Sequence, residues 1–195
     1  MVEARERGAS TRERLLDSAR ELFASRGYQH TSIQDLLTRT GISRGALYHH
    51  FLNKQQLFEA VLEQLEGEIA QTLVQASQGA QSGRDALRAG CAAWFELTRD
   101  PAVRQIALID APTAVGWARW RAIDARHGFG LLQAALASEA RAGRLDPQLV
   151  DSYAHIVLVS LMELGLVIAD AEDHDGARDR AQRALDALLD RLLDG

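Results

Sequence analysis

Residues 31–54 read TSIQDLLTRTGISRGALYHHFLNK, and no other stretch limits the possible folds as much. It writes two short helices joined by a glycine turn, with a third helix start directly behind. Thr31 is placed to cap the first helix, with Gln34 returning the bond, and Ser43 to cap the second. Side-chain oxygens at such positions satisfy backbone N–H groups that a helix start leaves without partners. Gly41 lies between the two. A glycine there permits the left-handed backbone that ends one helix and turns into the next, the helix-turn-helix arrangement that sets a helix in the major groove of duplex DNA. Asn53 is placed to cap the helix that follows.

The second of these helices carries residues suited to an outward task. Arg44, Gly45 and Ala46 open it, so a small surface allows close approach to base edges while Arg44 reaches a guanine or a phosphate. Tyr48, His49 and His50 offer hydroxyl and imidazole groups for phosphate oxygens, which fix register without reading sequence. Thr31 and Ser32 are expected at phosphate as well. Leu47 and Phe51, four residues apart, fall on the opposite, buried side. Lys54 stands in the first turn of the next helix, where a cation opposes the helix dipole, and an external anion such as phosphate accounts for it. His49 and His50 point about 100° apart and lack the spacing of a chelating pair, so DNA contact is favoured over metal.

The run from Leu22 to Leu57, with Phe23, Gly27, Tyr28, Thr31, Ser32, Ile33, Gly41, Ser43, Gly45, Leu47, Tyr48, His50, Phe51 and Lys54 in place, resembles the DNA-binding domain of TetR-family transcriptional regulators. Leu37 and Thr40 depart from that pattern, standing where the family more often has alanine. The resemblance implies an all-α chain, with a three-helix reader over residues 1–54 and a larger helical ligand-binding and dimerisation domain over residues 55–195. It also implies a homodimer through the last two helices, an inducer pocket between reader and dimer helices, and double-stranded operator DNA as partner.

Charge follows the same division. Residues 1–54 hold nine Arg or Lys against six Asp or Glu, a net +3, whereas the whole chain carries −5. A locally basic front is the footprint that matters for nucleic acid. Arg5, Arg7 and Arg12 extend it either as an arm along phosphate or as a solvated tail. With one cysteine, Cys91, and a charged, not apolar, start, a cytoplasmic protein is expected. Cys91 reads as a small core residue. The longest apolar segment, Tyr153 to Ala169, carries His155 and Glu163 and is read as a buried or subunit-facing helix, with no membrane partner.

About nine helices are expected. The first starts at Ser10 with Glu13 completing a capping box and ends at Gly27. A long one follows from Lys54 to about Gln78. Asp100-Pro101 and Asp146-Pro147 mark two further starts, since a capping side chain precedes a proline at the first helical position. An amphipathic run from Thr113 to Ala142 breaks near Gly128 and Gly130, and the closing helices cover Gln148 to Ala169 and Ala177 to Leu193.

Trp94, Phe95, Asp110, Trp117, Trp120, Asp124, His127, His155, Met162 and Glu163 are the residues the resemblance assigns to an inducer pocket. Trp117, Trp120, Asp124 and His127 share one helical face, mixing aromatic walls with polar groups as pockets do, although tryptophans at helical spacing are more often core. Asp124 and His127, with Glu163, could hold a metal, but hydrogen bonding or solvation is favoured and no cofactor is expected. The acidic remainder favours a neutral or cationic aromatic ligand over an anion.

No nucleophile elbow, zinc-binding helix or phosphate loop is present, so catalysis is not expected. The leading reading is a ligand-responsive repressor binding a near-palindromic operator as a homodimer. The alternatives are an activator with the same reader, or a helical protein-protein adaptor.

Overall fold

The computed structural model describes the backbone of residues 2–194 and the side chains from Ser10 to Asp194. The expectations on Arg5 and Arg7 lie outside the described side chains. Among the described residues all regular structure is helical: ten α-helices, one π-helical segment and one short 3-10 turn. They form two compact units, one of Met1–Leu65 with Pro101–Trp120, the other of Glu66–Asp100 with Arg121–Gly195.

The first unit is built on α1 (Val2–Arg26), α2 (Ile33–Thr40), α3 (Arg44–His50) and the opening of α4 (Lys54–Ala76). Leu15, Leu16, Ala19, Leu22 and Phe23 recur at helical spacing and all are buried, which is why α1 forms. The helix is already under way at Ser10, so the expected Ser10–Glu13 start is not where it begins. It ends at Gly27, whose φ of 78° is open to glycine and strained for other residues. Phe23, Tyr28 and Phe58 then pack as an aromatic group, with ring centroids 5.0 to 6.0 Å apart.

The cap of α2 falls one residue later than expected. Thr31 is 1% exposed and its hydroxyl is aimed at the carbonyl of Gly27 at 2.9 Å, with that of Leu22 at 3.3 Å. Ser32 caps instead. Its hydroxyl accepts from the Asp35 N–H at 3.1 Å, and Asp35, not Gln34, returns the bond to the Ser32 N–H at 2.8 Å.

The stretch that joins this unit from farther along the chain is helical from Pro101. Val103–Asp110 is wound as a π-helix, and the Ala111 N–H reaches back five residues to the Ile106 carbonyl. Pro112 accounts for the wider turn: it donates no hydrogen bond, and in α-geometry its ring would press on the carbonyl of Leu108. A short α6 (Ala111–Ala114) follows, then Gly116 at φ 82° and α7 (Trp117–Asp124). The amphipathic run expected from Thr113 is therefore broken at Gly116 and again at residues 125–127. Gly128 opens the next helix instead of breaking one.

The second unit holds α5 (Gly83–Leu97), α8 (Gly128–Arg141), α9 (Val150–Asp170) and α10 (His174–Leu193). Leu87, Cys91 and Phe95 of α5 share one apolar cluster with Phe129 and Leu136 of α8, Val157 and Leu161 of α9, and Leu185 and Leu189 of α10. Each large side chain so buried contributes roughly 1.5–3 kcal/mol. Burial first, and then the Asp186 charge, push the Cys91 thiol up to about 12, so it stays protonated and inert. Along the α5–α10 seam, Arg84 pairs with Asp190 and Asp194, and Arg88 with Asp186 and Asp190. Asp173 caps α10 through the Gly176 N–H at 2.9 Å, and the helix begins at His174, three residues ahead of the expected start at Ala177. Asp146 caps a 3-10 turn, Pro147–Leu149, that leads into α9.

Against expectation, Pro147–Asp170 is long and apolar enough to cross a bilayer on length and composition. Here one face of α9, with Ala154, Val157, Leu161 and Ile168, is packed inside the unit, while Ile156, Val159 and Val167 are more than half exposed.

Candidate nucleic-acid interface

The turn between α2 and α3 follows from local chemistry. Gly41 takes φ 66° and gives its N–H to the Leu37 carbonyl at 2.9 Å, which closes α2. Ser43 then caps α3 through the Ala46 N–H at 3.3 Å, and Asn53 caps α4 through the Gln56 N–H at 2.8 Å. Leu47 is wholly buried and Phe51 nearly so, which fixes the inner side of α3. Arg12 of α1 lies over the Phe51 ring at 5.5 Å, so this arginine is seated on the reader's helices and does not trail as a tail.

The outer side of α3 holds Arg44, Gly45, Tyr48 and His49, all exposed, with Ala46 and His50 half-buried beside them. Its first turn has no acidic residue. Arg44 is steadied by a bond from Nη2 to the Gln34 Oε1 at 3.1 Å, which ties the first residue of α3 to α2. A side chain added at Gly45 would meet nothing within 4 Å, so no neighbour inside the chain requires a glycine there. The space is open outward, as close approach to a duplex needs. His49 and His50 stand edge to face at 5.3 Å.

Three of the expected phosphate contacts are engaged internally. The buried Thr31 hydroxyl is bound to backbone carbonyls, as described above. The Ser32 hydroxyl donates to the Asp35 carboxylate at 2.6 Å. That contact, with the Ser32 N–H and the more distant Arg26, holds the Asp35 carboxyl below its ordinary range. Lys54 donates from Nζ to the carbonyls of Tyr28 at 2.8 Å and Thr31 at 3.0 Å, and lies over the Tyr28 ring at 4.1 Å. Its cation therefore has acceptors inside the chain. Sequence reasoning missed this because the partners are carbonyls of a corner more than twenty residues away.

Comparison with known proteins bears on this geometry. A profile described as "Bacterial regulatory proteins, tetR family" matches residues 15–61, and one described as "Tetracyclin repressor-like, C-terminal domain" matches residues 84–192. A TetR-family transcriptional regulator from Pectobacterium atrosepticum is 32% identical, with 98% of each chain covered and a TM-score of 0.78. The chain belongs to the TetR family of DNA-binding transcriptional regulators. Among curated TetR-type relatives, the repressor KstR2 of Mycolicibacterium smegmatis is 46% identical over 54 residues, 28% of this chain and 26% of that protein. The activator FasR of the same species is 34% identical over 85 residues, 44% of this chain and 39% of that protein. This regulator thus spans well under half the length of the curated relatives it matches, and the families and relatives matched are transcriptional regulators, not enzymes.

In this TetR-family chain the ten expected pocket residues divide. Asp110, Trp117 and Trp120 belong to the first unit, the other seven to the second. Asp110 is buried and its Oδ2 accepts the Tyr28 N–H at 2.7 Å, a structural bond. Trp117 is 62% exposed and packs on the buried Trp120 at 4.8 Å. Phe95 is core, and Glu163 faces solvent on α9. Trp94 donates from Nε1 to the Leu161 carbonyl at 3.0 Å, and Met162 packs at the edge of the core. His127 lies beyond the end of α7, at the cap position of α8, so it does not continue the face of Trp117 and Trp120. Among the described residues no group of three or more His, Cys, Asp or Glu is arranged to hold a metal ion.

A polar group does form around Asp124 in the second unit. Burial raises its carboxyl to about 6, opposed by the charges of Arg121, His127 and His155. His155 donates from Nδ1 to the Asp151 carbonyl at 2.8 Å and stands edge to face with Phe129 at 4.5 Å. A carboxyl raised above its unfolded value costs nothing below about pH 3, where the acid form dominates in the folded and the unfolded chain alike. The cost grows as pH rises to about 6. Asp124→Asn is therefore expected to stabilise the chain by on the order of 2 kcal/mol at pH 7.5, with the gain vanishing by about pH 3. Urea unfolding at the two pH values measures it; an equal gain at both would remove Asp124 ionisation as the cause.

Proposed function

We propose that this regulator is a ligand-responsive repressor that binds a near-palindromic operator as a homodimer and is released by a small molecule. The observation that carries the reading is the outer side of α3, with exposed Arg44, open Gly45 and no acid in its first turn. Arg44, Gly45 and Ala46 meet bases; Tyr48, His49 and His50 meet phosphates. Residues 1–54 act as the reader and residues 55–195 as the regulatory part, in a cytoplasmic protein with access to DNA. KstR2 and AcnR are named repressors and FasR an activator, so repression is the commoner sign among these relatives. An inducer held beside Trp94, Asp124, His127, His155 and Met162 would shift the reader, and a coupling of about 1 to 3 kcal/mol weakens operator binding about 5- to 150-fold.

Two half-sites about 34 to 36 Å apart need two readers at fixed spacing. The exposed Ile156, Val159 and Val167 of α9, with Leu188 of α10, supply an apolar face for a second copy.

Selection of bound fragments from a random-sequence DNA pool tests the reading. Arg44→Ala is expected to weaken the selected operator by about 1–3 kcal/mol and to relax preference at one base pair per half-site. Log affinity should fall linearly with log salt, by about 0.9 per phosphate neutralised. Full preference in Arg44→Ala would take Arg44 out of base readout, and failure to retain duplex at low salt would sink the whole reading.

A further inference from the structure

The corner that joins α1 to α2 is held by groups from two distant parts of the first unit. After a left-handed glycine ends a helix, the next N–H commonly folds back onto a carbonyl of that helix. Here the Tyr28 N–H is given to the Asp110 carboxylate, 82 positions away, at 2.7 Å. Asp110 is 8% exposed and ends the π-helical segment. On the other side of the same residue, the Tyr28 carbonyl receives the Lys54 ammonium at 2.8 Å, and that ammonium also holds Thr31, the residue before the α2 cap. Gly27 fits beneath because a Cβ there would come within 3.2 Å of Gln105 Nε2 and 3.4 Å of Asp110 Oδ2. An anion and a cation thus grip the two polar ends of Tyr28; burial lowers the Lys54 ammonium from its ordinary range, and the Asp110 charge across the corner opposes that shift.

We propose that Asp110 is a positioning residue for DNA reading, setting the entry of α2, and with it the seat of α3, through Tyr28 and Lys54. The inference rests on the proposal that α3 reads duplex DNA. It touches no base and no phosphate, so its effect falls on preference for the selected site while general attraction to duplex is kept. The π-helical winding of Val103–Asp110 is what brings the carboxylate to the corner, since the extra residue in the wide turn sets the direction of its last side chain. Any rewinding of that segment would withdraw the anion and loosen the corner.

Full-length Asp110→Asn and Asp110→Ala, with Lys54→Met and the double variant Asp110→Asn/Lys54→Met, are compared with the unmutated chain on a selected operator and on random duplex. Asparagine keeps an acceptor for the Tyr28 N–H and loses the charge; alanine loses both. In the two Asp110 variants preference for the operator is expected to fall about 5- to 30-fold, more in alanine than in asparagine, with random-duplex affinity unchanged. The losses from Asp110→Asn and Lys54→Met should be less than additive, since both act on one corner. A second measurement uses the unmutated protein alone: the Tyr28 amide should exchange with solvent more slowly once operator is bound. Folded Asp110 variants with full preference, or a Tyr28 amide indifferent to operator, would overturn the proposal. If the unmutated chain binds operator with preference, those failures belong to Asp110 alone; if it binds no duplex, the reading beneath it falls too.

Discussion

Glu139→Ala is expected to lower the unfolding free energy by about 2–4 kcal/mol at pH 7, a large loss for a polar side chain. Its side chain is fully buried at the start of α5. One oxygen accepts the Arg84 N–H at 2.9 Å, the Gly83 N–H is also bound, and Arg144 closes the pair from Nε at 2.6 Å and Nη2 at 3.0 Å. The carboxylate therefore does for α5 what a phosphate does at other helix starts, satisfying N–H groups that lack intrahelical partners and meeting the positive end of the dipole. Alanine leaves those donors buried and opens a void, although Arg144 is 43% exposed and regains water, which limits the loss.

The pH behaviour gives the second arm of the test. Arg144 first, and then the backbone N–H groups, hold the Glu139 carboxyl below its ordinary range. A lowered pKa contributes stability that is present above the unfolded value, near 4.3, and is lost as pH falls through the folded one. Urea midpoints of the unmutated chain should drop in acid by more than those of Glu139→Gln. Gly83→Ala strains the same contact from the other side, since its Cβ would lie 2.4 Å from the Ala135 carbonyl oxygen. Equal acid responses in the two proteins would show that the charge adds nothing to the cap.

Val159→Glu is expected to abolish dimers and to weaken operator binding more than about 100-fold, because a symmetric interface would have to bury the new charge twice. Val159 is 57% exposed in the chain by itself, so the substitution leaves the packing inside the second unit intact. Sedimentation should report a folded monomer with unchanged circular dichroism, and gel shifts should show only weak binding typical of one half-site. A dimer with operator affinity within a few-fold of the unmutated protein would place the contact between copies elsewhere.

What could be read ahead of the structure was chemistry confined to a few neighbouring residues. Gly41, Ser43 and Asn53 do what their types and spacing require, because a turn or a cap is decided within four positions. The same logic misplaced the α2 cap by one residue, since carbonyls of α1 and its corner claim the Thr31 hydroxyl. The internal partners of Lys54 were hidden for a related reason: its ammonium is bound by carbonyls across the fold, and no pattern around position 54 records that. The π winding of Val103–Asp110 left no sign in its own residues, and the break at Gly116 was read inside the run from Thr113 to Ala142. The aromatic and polar residues assigned to one pocket were hardest, because whether a tryptophan is core like Trp120 or solvent-facing like Trp117 depends on helices far off in sequence.

The two-piece make-up of the first unit bears on how the protein is born. Translation delivers α1, α2 and α3 early, yet the stretch that completes their packing, Pro101–Trp120, leaves the ribosome only after α5 has been made. Until then the Tyr28 N–H has no Asp110 to meet, and the α1 surface that packs on Val103–Asp110 stands open to chaperones. A nascent chain stalled before Pro101 would be a sticky and readily degraded fragment, so the cell would not accumulate a reader that lacks its control.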